Sequence, residues 1–238
     1  MTVGGFADPR YVREQYASEK GLAARKSAYG TTTGPDPRAV VFEAVAEARP
    51  GAVLEVGCGE GELAERIVRR LGASLVGLDQ SERMVELART RGVDARVGDA
   101  QELPFADGSF DVVVAAWMLY HVTDLDKGLA EIARVLRPGG RLVAATNYTD
   151  HLQEMFDLVG AEAWELPFSG ENGSAILERA FARVERREAS GTATFADADA
   201  VRSYLASSIR LRAYVDRVPE LTEPLVARRR PVVFVATR

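Results

Sequence analysis

Between Ala52 and Thr146 the chain repeats one pattern: a short, mostly apolar run, a turn, and an amphipathic stretch long enough for a helix. The runs are Ala52–Val56, Ser74–Asp79, Asp94–Val97, Phe110–Trp117 and Arg141–Thr146. In Val112-Val113-Val114-Ala115-Ala116 nothing alternates with polar residues, so both faces of such a strand must be covered, as in a parallel sheet. Parallel strands joined through helices need right-handed crossovers and put helices on both faces of an open sheet. Thr123 with Asp126 gives a capping-box-like helix start. Leu125, Leu129, Ile132 and Leu136 then share one helical face, and Arg137-Pro138-Gly139-Gly140 stops the helix.

The flanks read differently. Asp8-Pro9 and Asp36-Pro37 each place a capping carboxylate before a proline suited to the first helical position. Turn-rich residues 29–34 lie between those two starts. After Tyr148 the pattern predicts a helix from Asp150 to about Leu158 and a short one near Ser174–Phe181. A strand-like stretch follows over Arg183–Phe195, bent at Ser190-Gly191, with helical segments near Asp197–Arg210 and Pro219–Ala227. The closing strand is Pro231–Thr237. With 238 residues, 47% of them apolar, the chain can close a substantial core. The expected organisation is one domain over 1–238: a helical lid (1–50), a cofactor half (51–148) and acceptor-side insertions with the last strands (149–238).

Charge and composition exclude several function classes. Lys+Arg 30 against Asp+Glu 35 gives a net charge of −5, which repels nucleic-acid phosphates, and Arg228-Arg229-Arg230 is the only compact basic run. The longest uncharged apolar stretch, Val112–Tyr120, falls well short of the roughly 20 residues needed to cross a bilayer. The opening residues lack the basic-then-apolar layout of a signal peptide. Cys58 is the sole cysteine, so no internal disulfide forms, and two histidines without clustered carboxylates give no metal site. The reading is of a soluble, cytoplasmic protein with no nucleic-acid or membrane partner.

Ligands of an open parallel sheet bind at the carboxyl ends of its strands, where the strand order reverses. The first strand ends in Glu55-Val56-Gly57-Cys58-Gly59-Glu60-Gly61 and runs directly into a helix. The glycines allow a sharp turn and let backbone approach a ligand. The spacing is Gly-x-Gly-x-Gly, not the G-x-G-x-x-G of dinucleotide binders, and Glu60 and Glu62 crowd the helix mouth where a pyrophosphate would sit. Asp79 ends the second strand, placed to accept both hydroxyls of a ribose. Asp99 follows the third, placed to bond an adenine amine. Each acid also has a plain structural use, Asp79 in the cap region of the next helix and Asp99 in a turn. Taken in order, the three strand ends describe a nucleoside with a polar tail and no phosphate.

These segments resemble the successive motifs of class I S-adenosylmethionine-dependent methyltransferases of small-molecule type. The resemblance is carried by Val53–Gly61, Gly77-Leu78-Asp79, Gly98–Phe105, Phe110–Val113 and Leu136–Leu142. It implies a doubly wound, seven-stranded, mostly parallel α/β sheet whose antiparallel last strand lies beside the fifth. An N-terminal helical lid and an insertion between the fifth and sixth strands complete the fold. It also implies S-adenosyl-L-methionine as cofactor, S-adenosyl-L-homocysteine as product and a small organic methyl acceptor. By that similarity Glu55, Gly57, Cys58 and Gly59 serve the methionine half, Asp79 and Gln80 the ribose, and Gly98, Asp99, Ala100 and Gln101 the adenine. Tyr16, Arg25, Met84, Ala116 and Trp117 complete the cofactor site.

The candidates for proton transfer are the two histidines, both beside strand ends: His121 after the fourth strand and His151 after the fifth, with Glu154 three residues on. Tyr120 and Tyr148 are alternatives as hydrogen-bond donors or ring walls. Leu22–Arg25, Met118–Val122 and Thr146-Asn147-Tyr148 are similar to a small-molecule subgroup, and suggest that Tyr16, Arg25 and Tyr29 close over the cofactor. Phe156, Trp164, Phe168, Tyr204 and Tyr214 concentrate aromatic surface where an acceptor pocket or a secondary core is expected. Rival readings are an RNA or protein methyltransferase, a dinucleotide-dependent oxidoreductase and a non-catalytic nucleoside-binding module.

Overall fold

Every apolar run between Ala52 and Thr146 forms a strand in the computed structural model, which describes residues 5–16, 30–162 and 165–238. Strands β1 (Ala52–Val56), β2 (Ser74–Asp79), β3 (Asp94–Val97), β4 (Phe110–Ala116) and β5 (Leu136–Asn147) are mutually parallel where they pair. With β6 (Arg183–Glu188) and β9 (Pro231–Thr237) they make a seven-stranded sheet of order β3-β2-β1-β4-β5-β9-β6. β9 runs antiparallel to both neighbours, β5 and β6. The order reverses between β1 and β4, which opens a crevice at their carboxyl ends.

Helices α2 (Pro37–Glu47), α3 (Glu62–Leu71) and α4 (Glu82–Thr90) cover one face. Val41, Ala44, Ile67 and Val85 meet Val53, Val112, Val114 and Val143 there. On the other face α5 (Leu125–Val135) and α7 (Gly173–Leu177) bring Leu129, Ile132 and Leu177 against Leu54, Val113, Leu142 and Phe234. Both faces are therefore dry, as the unbroken apolar runs require. Asp8 and Asp36 cap α1 (Pro9–Gln15) and α2 as expected, accepting from Arg10 N–H (2.8 Å) and Arg38 N–H (3.0 Å). The cap of α5 is Asp124, which accepts from Lys127 N–H at 3.0 Å, in place of the expected Thr123–Asp126 box. Leu136 opens β5 instead of ending that helix, and the register with β4 shifts between Phe110 and Val112, where Arg137–Gly140 bulge out. No helix among the described residues is long and apolar enough to cross a membrane.

The region after β5 is where sequence pattern and structure diverge. The stretch Arg183–Phe195 is not one bent strand: β6 pairs with β9, while β7 (Gly191–Phe195) joins β8 (Leu225–Arg229) in a separate antiparallel pair. Residues expected to be helical at Pro219–Ala227 supply β8, preceded by a 3₁₀ turn at Arg212–Arg217. Arg228 and Arg229 are thus ladder residues. The insertion is accordingly split, with α6 (Gln153–Val159) and α7 between β5 and β6, and β7, α8 (Ala198–Ala206) and β8 between β6 and β9. α6 starts at Gln153, after Leu152 at φ +61°, later than Asp150 suggested. Leu152, Phe156, Phe195, Tyr204 and Leu205 give this region a core of its own.

Residues 30–33 lie along the free edge of β7. Gly30 N–H donates to Thr194 O (3.0 Å), Thr194 N–H to Thr31 O (2.9 Å) and Thr33 N–H to Thr192 O (3.0 Å). Gly191, where the chain leaves one sheet for the other, fits because it has no side chain: a Cβ there would overlap the Thr33 carbonyl. Gly191→Ala should therefore lower unfolding free energy by about 1–3 kcal/mol, the usual cost of forcing atoms into a filled site. Urea titration checks this; an unchanged midpoint would mean that the 30–33 strand is not packed as described.

Candidate active site

The glycine loop is shaped by what surrounds it. Gly57, Gly59 and Gly61 have φ of +71°, +52° and +77°, a backbone region that side chains disfavour. A Cβ on Gly57 would lie 2.7 Å from Met118 Cβ, so the loop after β1 presses directly on the segment after β4. Among the described residues nothing comes within 4 Å of a Cβ built on Gly59. Gly57 and Cys58 N–H both donate to Leu78 O (2.7 and 3.1 Å), tying the loop to β2. Asp79 completes the tie: Oδ2 accepts from Gly59 N–H and Oδ1 from Ser81 N–H, each at 2.9 Å.

Two acids end these adjacent strands, and among the described residues no cation is bonded to either. Glu55 is 3% exposed, and its Oε2 is buried without a hydrogen-bond partner. Burial, reinforced by the nearby Asp79 charge, raises its pKa to about 8, against the opposing pull of the Ala64 backbone N–H. Burial also raises Asp79, opposed by the amides of Ser81, Gly59 and Gln80. Arg38, whose charge reaches Glu55, is bonded to Glu62 at 2.8 Å. Cys58 is buried and its thiol is pushed up, so it is no nucleophile. A cation set against this pair would favour the charged forms of both acids, and a phosphate would have no cation to meet there among the described residues.

Around the acids, Asp99 is exposed past β3 and holds Gln101, accepting from its N–H (2.8 Å) and its side-chain amide (3.0 and 3.1 Å). Gln101 Oε1 in turn accepts from Asp124 N–H at 2.9 Å. The turn use of Asp99 is thus realised, with lone pairs left over, since a carboxylate offers about four acceptor sites. Gly98 packs on Leu78, and Ala100 and Met84 are buried, while Gln80 is exposed beside Asp79. Ala116 ends β4, and Trp117 follows at φ +55°, its indole N–H donating to Asn147 Oδ1 at 3.3 Å.

The two histidines have opposite surroundings. His121 Nδ1 lies 2.8 Å from the Phe6 carbonyl, which can only accept, so Nδ1 carries the hydrogen. Neutral His121 therefore presents a lone pair at Nε2, 3.0 Å from the Tyr16 hydroxyl. Tyr120 stacks edge-on against the same imidazole at 4.5 Å between centroids. His151 instead accepts the Arg230 N–H at Nδ1 (2.9 Å), and burial, with help from the Arg229 charge, holds its pKa at about 3. It retains no basic nitrogen near neutrality, which corrects its expected role as a general base. Glu154 does not partner it: the carboxylate takes Arg228 N–H (2.9 Å) and Nε (2.7 Å). Of the two uses expected for the aromatic residues, the core is the one realised by three of them. Phe168 lies in the main core, and Phe156 and Tyr204 in the core of the insertion.

Helix α1 crosses this site. Beyond its contacts to His121, the Tyr16 carbonyl accepts from Ser81 Oγ at 3.3 Å, beside Asp79. Phe6, Tyr11, Val12 and Leu166 form a small apolar cluster against Tyr16, Tyr120 and Ile209. The segment thus reaches from the turn after β4 to the turn after β2, over the crevice between them. Sequence reasoning missed Gln15, which is 6% exposed and bonded to the 207–209 backbone. Its one signal was a polar residue on the Tyr11–Val12 face. Arg25, Tyr29 and Trp164 lie outside the described residues.

Residues 54–144 match the family model described as a methyltransferase domain. Methyltransferase GfsG of Streptomyces halstedii is 45% identical over 101 residues, 39% of this chain and 36% of that protein. The ubiquinone/menaquinone biosynthesis C-methyltransferase UbiE of Desulfotalea psychrophila is 40% identical over 119 residues, 47% of this chain and 48% of its own. The chain thus spans half or less of these relatives. Among solved structures, the [4+2]-cyclase SpnF superposes with a TM-score of 0.62 at 19% identity over 99% of both chains, a likeness of fold. The matched residues 54–144 hold most of β1, all of β2 to β4 and most of β5, with the glycine loop at the reversal point of the sheet, so this stretch is similar to a methyltransferase domain in both sequence and fold.

Proposed function

We propose that this chain moves a methyl group from S-adenosylmethionine to an oxygen or nitrogen atom of a small organic acceptor. The observation that carries the reading is the pair of acids, buried Glu55 and half-buried Asp79, that have no cation bonded to them among the described residues and flank the glycine loop. That edge suits a ligand bearing an ammonium and a sulfonium and is hostile to a dinucleotide pyrophosphate. The relatives' names, one of them in quinone biosynthesis, support a small acceptor.

In this reading Glu55 and the Gly57–Gly59 backbone hold the methionine half, and Asp79 with Gln80 the ribose. Gly98, Asp99, Ala100 and Gln101 hold the adenine, with Met84, Ala116 and Trp117 around it. Bound there, S-adenosylmethionine supplies a methyl group already activated by its positive sulfur. The protein's task is to align the acceptor with that methyl and exclude water, which can contribute roughly 7–11 kcal/mol. α1 provides the cover, and Tyr120 a ring wall. His121 provides the base: as the acceptor atom attacks, its proton passes to the Tyr16 hydroxyl, whose own proton moves to His121 Nε2. The Phe6 carbonyl stays on Nδ1–H and stabilises the imidazolium.

Three outcomes test this. S-adenosylhomocysteine should bind in calorimetry while NADH does not, and Asp79→Ala should weaken binding by at least about tenfold, or 1.4 kcal/mol. Binding of NADH, or an indifferent Asp79→Ala, would sink the assignment. Against a panel of small phenols, hydroquinones and amines with labelled cofactor, His121→Ala should slow transfer by about 10²–10⁴-fold, far more than it weakens S-adenosylhomocysteine binding. For Glu55 the folded chain binds a proton that the unfolded chain releases from about pH 4.5 upward. Stability of the ligand-free protein should therefore fall as pH rises toward about 8, at up to about 1.4 kcal/mol per unit, and Glu55→Gln should flatten that slope.

A further inference from the structure

Gln15 is the least expected buried group near the crevice. It sits at the end of α1 with its side-chain Nε2 donating to Ser207 O (3.1 Å) and its Oε1 accepting from Ile209 N–H (2.9 Å). A carboxamide used on both sides reads a backbone as a neighbouring strand would, and it orders residues 207–209 as well as α1. Those residues follow α8 and belong to the insertion, not to the cofactor-binding half. The joint continues through Ile209, packed with the Phe6–Tyr11 cluster, and Arg210, whose guanidinium lies 4.6 Å from the Phe6 ring centroid. At the same end Tyr16, the residue after Gln15, touches Ser81, next to Asp79, and His121. Two consecutive residues therefore contact the ribose-side turn, the candidate base and the insertion.

We propose that Gln15 is a positioning residue that makes the acceptor-side wall conditional on the cofactor, by docking residues 207–211 onto α1 whenever α1 closes over the strand tips. The inference rests on the cofactor reading above and goes beyond it. Ligand at Asp79 favours the docked α1 through the Ser81–Tyr16 contact, and Gln15 passes that preference to the Ser207 and Ile209 backbone. The acceptor pocket is then completed only after the methyl donor is in place. A group that couples two sites in this way must do so reciprocally.

Hydrogen exchange read by mass spectrometry, with S-adenosylhomocysteine as the probe, tests the coupling without needing the acceptor. In the wild-type chain the ligand should slow exchange at residues 57–61 and 79–84. It should also slow exchange at 207–211, where the Ile209 amide reports directly, by at least about fivefold, the low end of ordinary coupling. In Gln15→Leu the ligand should still protect 57–61 and 79–84 but no longer protect 207–211. Gln15→Glu, which keeps the acceptor for Ile209 N–H, should restore part of that protection. Ligand-dependent slowing at 207–211 that persists in Gln15→Leu, or that never occurs in the wild type while 79–84 is protected, overturns the coupling alone. No protection anywhere overturns the cofactor reading and the coupling with it.

Discussion

A strand buried on both faces has nowhere to put a polar side chain except at its ends, and that constraint organises this molecule. β1, β2 and β4 are apolar along their length and lie between two helical layers. The acids Glu55 and Asp79 stand at the last turn of pleat before the chain escapes, and both are still held close to the dry interior. Their unusual proton affinities follow from that position: burial penalises each charge, and backbone amides, with the Arg38 charge near Glu55, compensate only in part. The reversal of strand order between β1 and β4 then supplies the crevice that these acids border.

The same logic separates two residues of one chemical type. His121 and His151 both follow a parallel strand. The difference lies in which backbone group each meets. A carbonyl at Nδ1 leaves the Nε2 lone pair of His121 facing the Tyr16 hydroxyl, whereas an amide at Nδ1 consumes the lone pair of His151 and burial lowers its affinity for a proton. The contacting groups, Phe6 and Arg230, are 115 and 79 residues away, so no local pattern distinguishes the two.

How far the chain can be read from residues alone depends on the range of the forces involved. The parallel strands were legible because an unbroken apolar run is a local statement about burial on both faces. The glycine loop and Asp79 were legible because their spacing is a local statement about a turn. β8 was not: Arg228 and Arg229 are poor strand candidates, and their ladder exists because Gly191 and Thr192 lie opposite. Nor was the break at Gly191, set by residues 30–34 arriving from far upstream. The aromatic residues after β5 illustrate the remaining ambiguity, since Phe156, Phe168 and Tyr204 have the composition of a pocket and the burial of a core.

The pairing of residues 30–33 with β7 also bears on the behaviour of α1. The chain leaves α1 at Tyr16 and is fastened again at Gly30 to the same insertion that Gln15 grips. Two stretches far apart from the insertion in sequence are thus anchored on it, one by a side-chain amide and one by backbone pairing. A shift in the packing of that insertion is therefore felt at both, which ties the seat of α1 to the small β7–β8 pair.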